Sequence, residues 1–251
     1  METIVSIFEI IGIISFSAAG AMVAIDKETD VFGVVFLAIV TCFGGGMLRD
    51  IIAGGAIGLD LPWFFSGKPD ANLYIIISVV TALAVFFVAM IFKKRYVKEE
   101  KLVYEVNNVL DALGIGVFSA IGTGNYLSAG PFVAISMGMI SSIGGGIMRD
   151  VILRDIPFVL CKYIYALATI LGSALYYLVA VVWMPDSPLA RPVAIAVCTF
   201  SIFTVRVLST YFKWNMPKAI DFSSMREEGE QSDVENAKKN ADFVENGEII
   251  H

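Results

Sequence analysis

The sequence predicts an all-α membrane protein. Seven transmembrane helices form two inverted three-helix repeats plus a seventh helix, with the second and fifth helices broken at Gly-Gly-Gly. Three observations predict this. Hydrophobic residues make up 57% of the 251 residues and charged residues only 17%, and the mean hydropathy is +0.76; that is the composition of an integral membrane protein. Seven apolar runs are long enough to cross a bilayer. One heptapeptide occurs twice, as Gly44-Gly45-Gly46-Met47-Leu48-Arg49-Asp50 and as Gly144-Gly145-Gly146-Ile147-Met148-Arg149-Asp150.

The apolar runs lie at about 4–25, 31–52, 72–92, 104–126, 131–153, 160–183 and 193–212. The first lacks a basic leader and a cleavage site and carries Glu9, so it reads as a retained span rather than a signal peptide. The second and fifth hold the glycine triplets. The fourth is interrupted early by Asn107, Asn108 and Asp111. Trp63, Trp183 and Trp214 fall at span ends, where interfacial aromatics sit. The domains follow: repeat 1 over 1–92, a basic loop over 93–103, repeat 2 over 104–183, a seventh helix over 190–212, and a tail over 213–251. Acidic and polar residues from Asp221 to Glu248 make that tail a solvated, disordered segment.

The repeat extends beyond the heptapeptide. Phe32 matches Phe132. Glu9, Gly12, Phe16, Ser17, Ala18 and Gly20 match Asp111, Gly114, Phe118, Ser119, Ala120 and Gly122, and Leu61-Pro62-Trp63 resembles Ile156-Pro157-Phe158. Each unit has an odd number of spans, so the second must enter the membrane from the opposite side. This is the inverted repeat of many transport proteins, whose pathway forms between the copies. Lys27, the run from Lys93 to Lys101, Arg154, Lys162, Lys213 and Lys218 fall on one side, while Lys68 and Arg191 fall on the other. The basic side is cytoplasmic by the positive-inside rule, placing the amino terminus outside and the carboxy terminus inside.

Three adjacent glycines weaken a helix interior, and charge is costly in hydrocarbon. Both features, twice, point to helix breaks at Gly44, Gly45, Gly46 and Gly144, Gly145, Gly146 that line a pathway, since freed backbone cannot face lipid. Carbonyls near Phe43 and Ile143 would then favour a cation. The competing reading is that the glycines let neighbouring helices pack closely. Neighbours on a helix do not face each other, so within Arg49–Asp50 and within Arg149–Asp150 the two side chains need different partners, or one of them points into water. Glu9 and Asp111 are the acids expected to pair with the arginines; the alternative is that all four groups snorkel to the interfaces. Thr41, Ser141, Ser142, Ser15, Ser17 and Ser119 are candidate pore hydroxyls, although any of them can equally bond its own helix. The loop charges, Asp26, Lys27, Glu28 and Asp30 among them, read as solvated. The run from Lys93 to Lys101 additionally suits anionic lipid.

Several function classes drop out. Cys42, Cys161 and Cys198 have no metal-ligand spacing. The only histidine is the terminal His251. No nucleophile–base pair, metal site or cofactor motif is recognisable, so an enzyme is not expected, and nothing suggests nucleic-acid binding.

The paired Gly-Gly-Gly-x-x-Arg-Asp motifs, each followed by a Pro-aromatic element and set in a three-plus-three inverted repeat with a seventh helix, resemble the prokaryotic trimeric intracellular cation (TRIC) channels. The resemblance spans about 4–212. It implies a homotrimer with one pore per subunit, lined by the second and fifth helices and passing monovalent cations, chiefly potassium and also sodium. It further implies contact with membrane lipids and a place in the bacterial or archaeal cell membrane. The same domain is associated with proteins regarded as glycine transporters, so a secondary transporter of a small zwitterion is the alternative.

Overall fold

A computed structural model describes residues 2–57, 69–161, 164–185 and 187–214. The expectations for Leu61-Pro62-Trp63, Lys68, Lys162, Lys218 and the acidic tail lie outside the described residues, as does the side-chain packing of Cys161. The chain forms α1 (Glu2–Asp26), α2 (Val31–Ile57), α3 (Pro69–Ile91), α4 (Lys93–Lys98), α5 (Glu100–Gly124), α6 (Pro131–Ile152), α7 (Phe158–Cys161), α8 (Ala166–Tyr177) and α9 (Ala190–Tyr211). A 3₁₀ turn over Leu127–Ala129 precedes α6, and α8 continues as a π-helix over Leu178–Trp183. All described secondary structure is helical, and seven of the helices are long and apolar enough to cross a membrane.

Local chemistry sets several boundaries. Asp30 Oδ1 accepts the Gly33 backbone N–H at 2.8 Å and starts α2. Gly130, at φ +93°, makes a turn open only to a residue without Cβ strain, and Pro131 follows at the first position of α6. The 93–103 segment is helical: α4 exposes Lys93, Lys94, Arg95 and Lys98, and α5 begins at Glu100. α5 has a mean hydropathy of 1.2 against 2.7 for α3, the consequence of Asn107, Asn108 and Asp111. The sixth span starts at Ala166 rather than near 160, because α7 is a separate turn and the chain bends to bury Tyr165.

Helices α1, α2 and α3 form one bundle; α5, α6 and α8 form the other; α9 packs on α5 and α8. The bundles meet through α1 on α5 and α2 on α6. Contacts across this seam are reciprocal. A Cβ on Gly12 would meet the Phe118 ring, and one on Gly114 would meet the Phe16 ring; the two rings stack at 5.3 Å. One on Gly45 would strike the Ser141 carbonyl, and one on Gly145 the Thr41 carbonyl. Gly44 meets Met148 as Gly144 meets Leu48. Partners descend one helix as they ascend the other, so α2 and α6 run antiparallel about a local two-fold axis. Lys27 Nζ lies 2.6 Å from Asp155 Oδ2, which puts the ends of α1 and α6 at the same end of the bundle. The inverted repeat is therefore visible in the packing.

The expected breaks are absent. α2 and α6 are helical without interruption through Gly44–Gly46 and Gly144–Gly146. The physical reason is the packing alternative: with no side chains at the crossing, each helix lays its backbone against the other's carbonyls. Contact repays the cost of glycine in a helix interior without breaking the hydrogen-bond ladder. The cation-favouring carbonyls expected near Phe43 and Ile143 fall with the breaks.

Candidate functional site: two charged cavities flanking the glycine crossing

The seven-residue motif places an Arg-Asp pair about one turn beyond each glycine crossing. The structure pairs the neighbours directly. Arg49 Nε and Nη2 lie 2.8 Å and 2.7 Å from Asp50 Oδ1, and Arg149 makes the same fork to Asp150 Oδ1, both bonds at 2.8 Å. This corrects the expectation that the arginines reach Glu9 and Asp111. Adjacent residues diverge at Cβ, but the arginine stem is long enough to fold back onto the next carboxylate. The second pair is the more deeply buried, with 4% and 3% of its side chains exposed against 11% and 18% for the first. Asp150 Oδ2 also accepts the Phe158 backbone N–H at 3.0 Å, which ties α7 to α6.

Glu9 and Asp111 each meet a tyrosine instead. The Tyr74 hydroxyl, near the start of α3, donates to Glu9 Oε2 at 2.6 Å. The Tyr165 hydroxyl, at the start of α8, donates to Asp111 Oδ2 at 2.9 Å. The repeats have thus produced two equivalent carboxylate–phenol pairs. The second carries an addition: Arg206 of α9 donates to Asp111 Oδ2 at 3.1 Å, and its guanidinium carbon lies 3.9 Å from the Tyr165 ring centroid, a cation–π distance.

Around these groups open two cavities. The first, of about 140 Å³, is lined by Glu9, Arg49, Asp50 and Tyr74 together with Ser141 and Asn125. The second, of about 20 Å³, is lined by Asp111, Arg149, Tyr165 and Arg206 together with Asn107 and Asn108. They share no lining residue and lie towards opposite ends of α2 and α6, with the glycine crossing between them. In the second cavity Arg206 Nε, Asn107 Oδ1 and Asn108 Nδ2 are buried without a partner among the described residues. A volume near that of one water molecule, with such partners around it, suits a bridging water.

Of the candidate hydroxyls, Ser141 is at the site: it accepts Arg49 Nη1 at 3.2 Å across the α2–α6 seam. Ser17 donates to Ser78 at 2.8 Å and Ser119 pairs with Ser173 at 2.8 Å, clamping α1 to α3 and α5 to α8. Thr41 donates to the Leu37 carbonyl and Ser142 to the Met139 carbonyl, each within its own helix. Ser15 is buried. Sequence reasoning passed over Tyr74, Tyr165, Asn125 and Arg206. Arg206 had a legible signal, being a basic residue inside an apolar span. The tyrosines had none, because aromatic residues are ordinary in membrane helices.

A wider groove of about 780 Å³ opens between α4 and the adjoining ends of α1, α3 and α5, lined by Asp26, Lys93 and Tyr96 among others. Burial there, reinforced by the charge of Asp26, pushes the Tyr96 phenol up to about 12. No group of acidic, histidine or cysteine side chains among the described residues has the geometry to hold a metal ion.

A family model described as a glycine transporter matches residues 6–90 and 108–181. The UPF0126 inner membrane protein YadS of Escherichia coli K12 is 35% identical over 170 residues, covering 67% of this chain and 75% of that protein. The UPF0126 membrane protein YvgT of Bacillus subtilis is 30% identical over 217 residues, covering 84% of this chain and 94% of its own. Among solved structures, a prokaryotic TRIC channel crystallised in 0.5 M KCl superposes with a TM-score of 0.71 at 29% identity, covering 86% of this chain and 100% of the other. The TRIC trimeric intracellular cation channel orthologue from Rhodobacter sphaeroides gives 0.69 at 28% identity, covering 84% and 100%.

Proposed function

This chain belongs to the family that the glycine transporter model describes and is a relative of the UPF0126 membrane proteins, on the fold of the prokaryotic TRIC cation channels; on that premise we propose that it is a passive, potassium-permeable channel for monovalent cations. One observation carries the reading. α2 and α6 cross in backbone contact at the repeat axis, and charged cavities flank that crossing on either side. A path through each subunit runs from one cavity to the other past Gly44–Gly46 and Gly144–Gly146. The crossing is its constriction, and conduction requires the helices to part there. Arg49, Asp50, Arg149, Asp150, Glu9 and Asp111 are its charges, and Ser141 its nearest hydroxyl. A channel needs weak binding along a continuous path rather than one tight site.

The trimeric neighbours support a homotrimer with one pore per subunit, in contact with membrane lipid. The inner-membrane relative supports a place in the bacterial inner membrane. Basic loops support an outer amino terminus, which makes the Glu9 cavity the outer one and the Asp111 cavity the inner one.

Two cavities separated by a closed crossing, together with the family description, also favour a second reading: a secondary transporter of a small zwitterion such as glycine, which opens one cavity at a time. Reconstitution in planar bilayers separates the two. Unitary currents that reverse at the potassium equilibrium potential are expected of the channel. Electrical silence with saturable glycine uptake into vesicles would assign the transporter instead.

A further inference from the structure

We propose that the outer cavity is a binding site for a small organic cation of the guanidinium class, held between the Glu9 carboxylate and the Tyr74 ring. The inner repeat already holds such a cation as one of its own side chains. The Arg206 guanidinium sits 3.1 Å from Asp111 Oδ2 and 3.9 Å from the Tyr165 ring centroid, while the Tyr165 hydroxyl donates to the same oxygen. Glu9 and Tyr74 repeat the carboxylate and the phenol, 2.6 Å apart. Arg206 comes from α9, the helix without a counterpart in the first repeat, and among the described residues no tethered guanidinium reaches Glu9. Among the described residues Glu9 forms no ion pair with a lysine or arginine. In that place lies a cavity of about 140 Å³.

Charge balance points the same way. At the inner site Arg149 is matched by Asp150 and Asp111 by Arg206. At the outer site Arg49 is matched by Asp50, and among the described residues the Glu9 carboxylate is left over. A half-buried carboxylate without a counter-charge is costly, and one monovalent cation closes the balance. Selectivity for an organic cation follows from the lining. An alkali ion needs several oxygens to replace its hydration shell, whereas a weakly hydrated guanidinium is held by one carboxylate and an aromatic face. The side chains of Asn125 and Ser141 line the same cavity and offer acceptors to its remaining N–H groups.

The site deepens the channel reading, on which only its effect on current depends. The test uses methylguanidinium at millimolar concentration on the reconstituted protein. Potassium current is expected to fall when the probe is added on the amino-terminal side. Glu9→Gln should weaken this block by roughly tenfold or more, while Glu9→Asp, which keeps a shorter carboxylate, should retain part of it. Titration calorimetry on the purified protein reads the same site without current: heat of binding in the wild type, weakened in Tyr74→Leu and lost in Glu9→Gln. Binding without any potassium current would keep the site and overturn the channel. Block and binding unchanged by Glu9→Gln, or no heat with the wild type, would overturn the site.

Discussion

At the residue scale the two Arg-Asp pairs are chemically identical, yet they are not energetically equivalent. Arg149–Asp150 is nearly sealed from solvent, while Arg49–Asp50 is partly wetted by the larger cavity. Removing one partner of a buried pair strands the other charge, at a cost of about 3–5 kcal/mol. Asp150→Ala is therefore expected to lower the thermal midpoint in detergent clearly more than Asp50→Ala; equal losses would contradict the burial difference. Arg206→Met strands Asp111 in the same way and should also destabilise the fold. Tyr165→Phe removes one hydrogen bond to a carboxylate and keeps the ring beneath the guanidinium, so its loss should be smaller, about 1.5–3 kcal/mol. These residues show how the site was only half legible. The carboxylates were visible as charges in apolar spans, and their tyrosine partners were not, because a tyrosine in a membrane helix announces nothing until a carboxylate is placed beside its hydroxyl.

At the element scale the glycine triplets carry the sharpest test, because their members differ. A Cβ at Gly45 or Gly145 would run into the carbonyl of Ser141 or Thr41, which belong to rigid helical backbone, whereas one at Gly46 finds its nearest neighbour at 3.8 Å and one at Gly146 at 3.7 Å. Gly45→Ala and Gly145→Ala should force α2 and α6 apart and cost about 1–3 kcal/mol, the usual scale of overpacking. Gly46→Ala should be neutral or stabilising by up to about 1 kcal/mol, since alanine is the better helix former. Thermal melts of the three variants check this, and a loss shared equally by all three would count against the crossing as described. Sequence alone showed that the triplets were exceptional but could not say whether they break a helix or join two. Both outcomes use the same property, the missing side chain, and only the neighbour's position selects between them.

At the scale of the whole molecule, seven spans and an odd-numbered repeat fix which loops share a side. With the native cysteines replaced, a cysteine at the exposed Lys94 should react with an impermeant maleimide only from the cytoplasm, and one at the exposed Leu189 only from outside. The reverse pattern would invert the cavities named outer and inner. The sequence by itself determined the membrane class, the spans, the duplication and its inversion. These follow from hydropathy, periodicity and parity, which are properties of the chain read along its length. Only the tertiary structure decided that the triplets stay helical, that Arg49 and Arg149 each turn to their own neighbour, and that α9 lends Arg206 to one repeat, with no like residue at Glu9 among the described residues. Those outcomes depend on which surfaces come within a few ångströms of one another, and in a bilayer, where lipid is as apolar as most side chains, close packing and charge pairing rather than hydrophobicity make that choice.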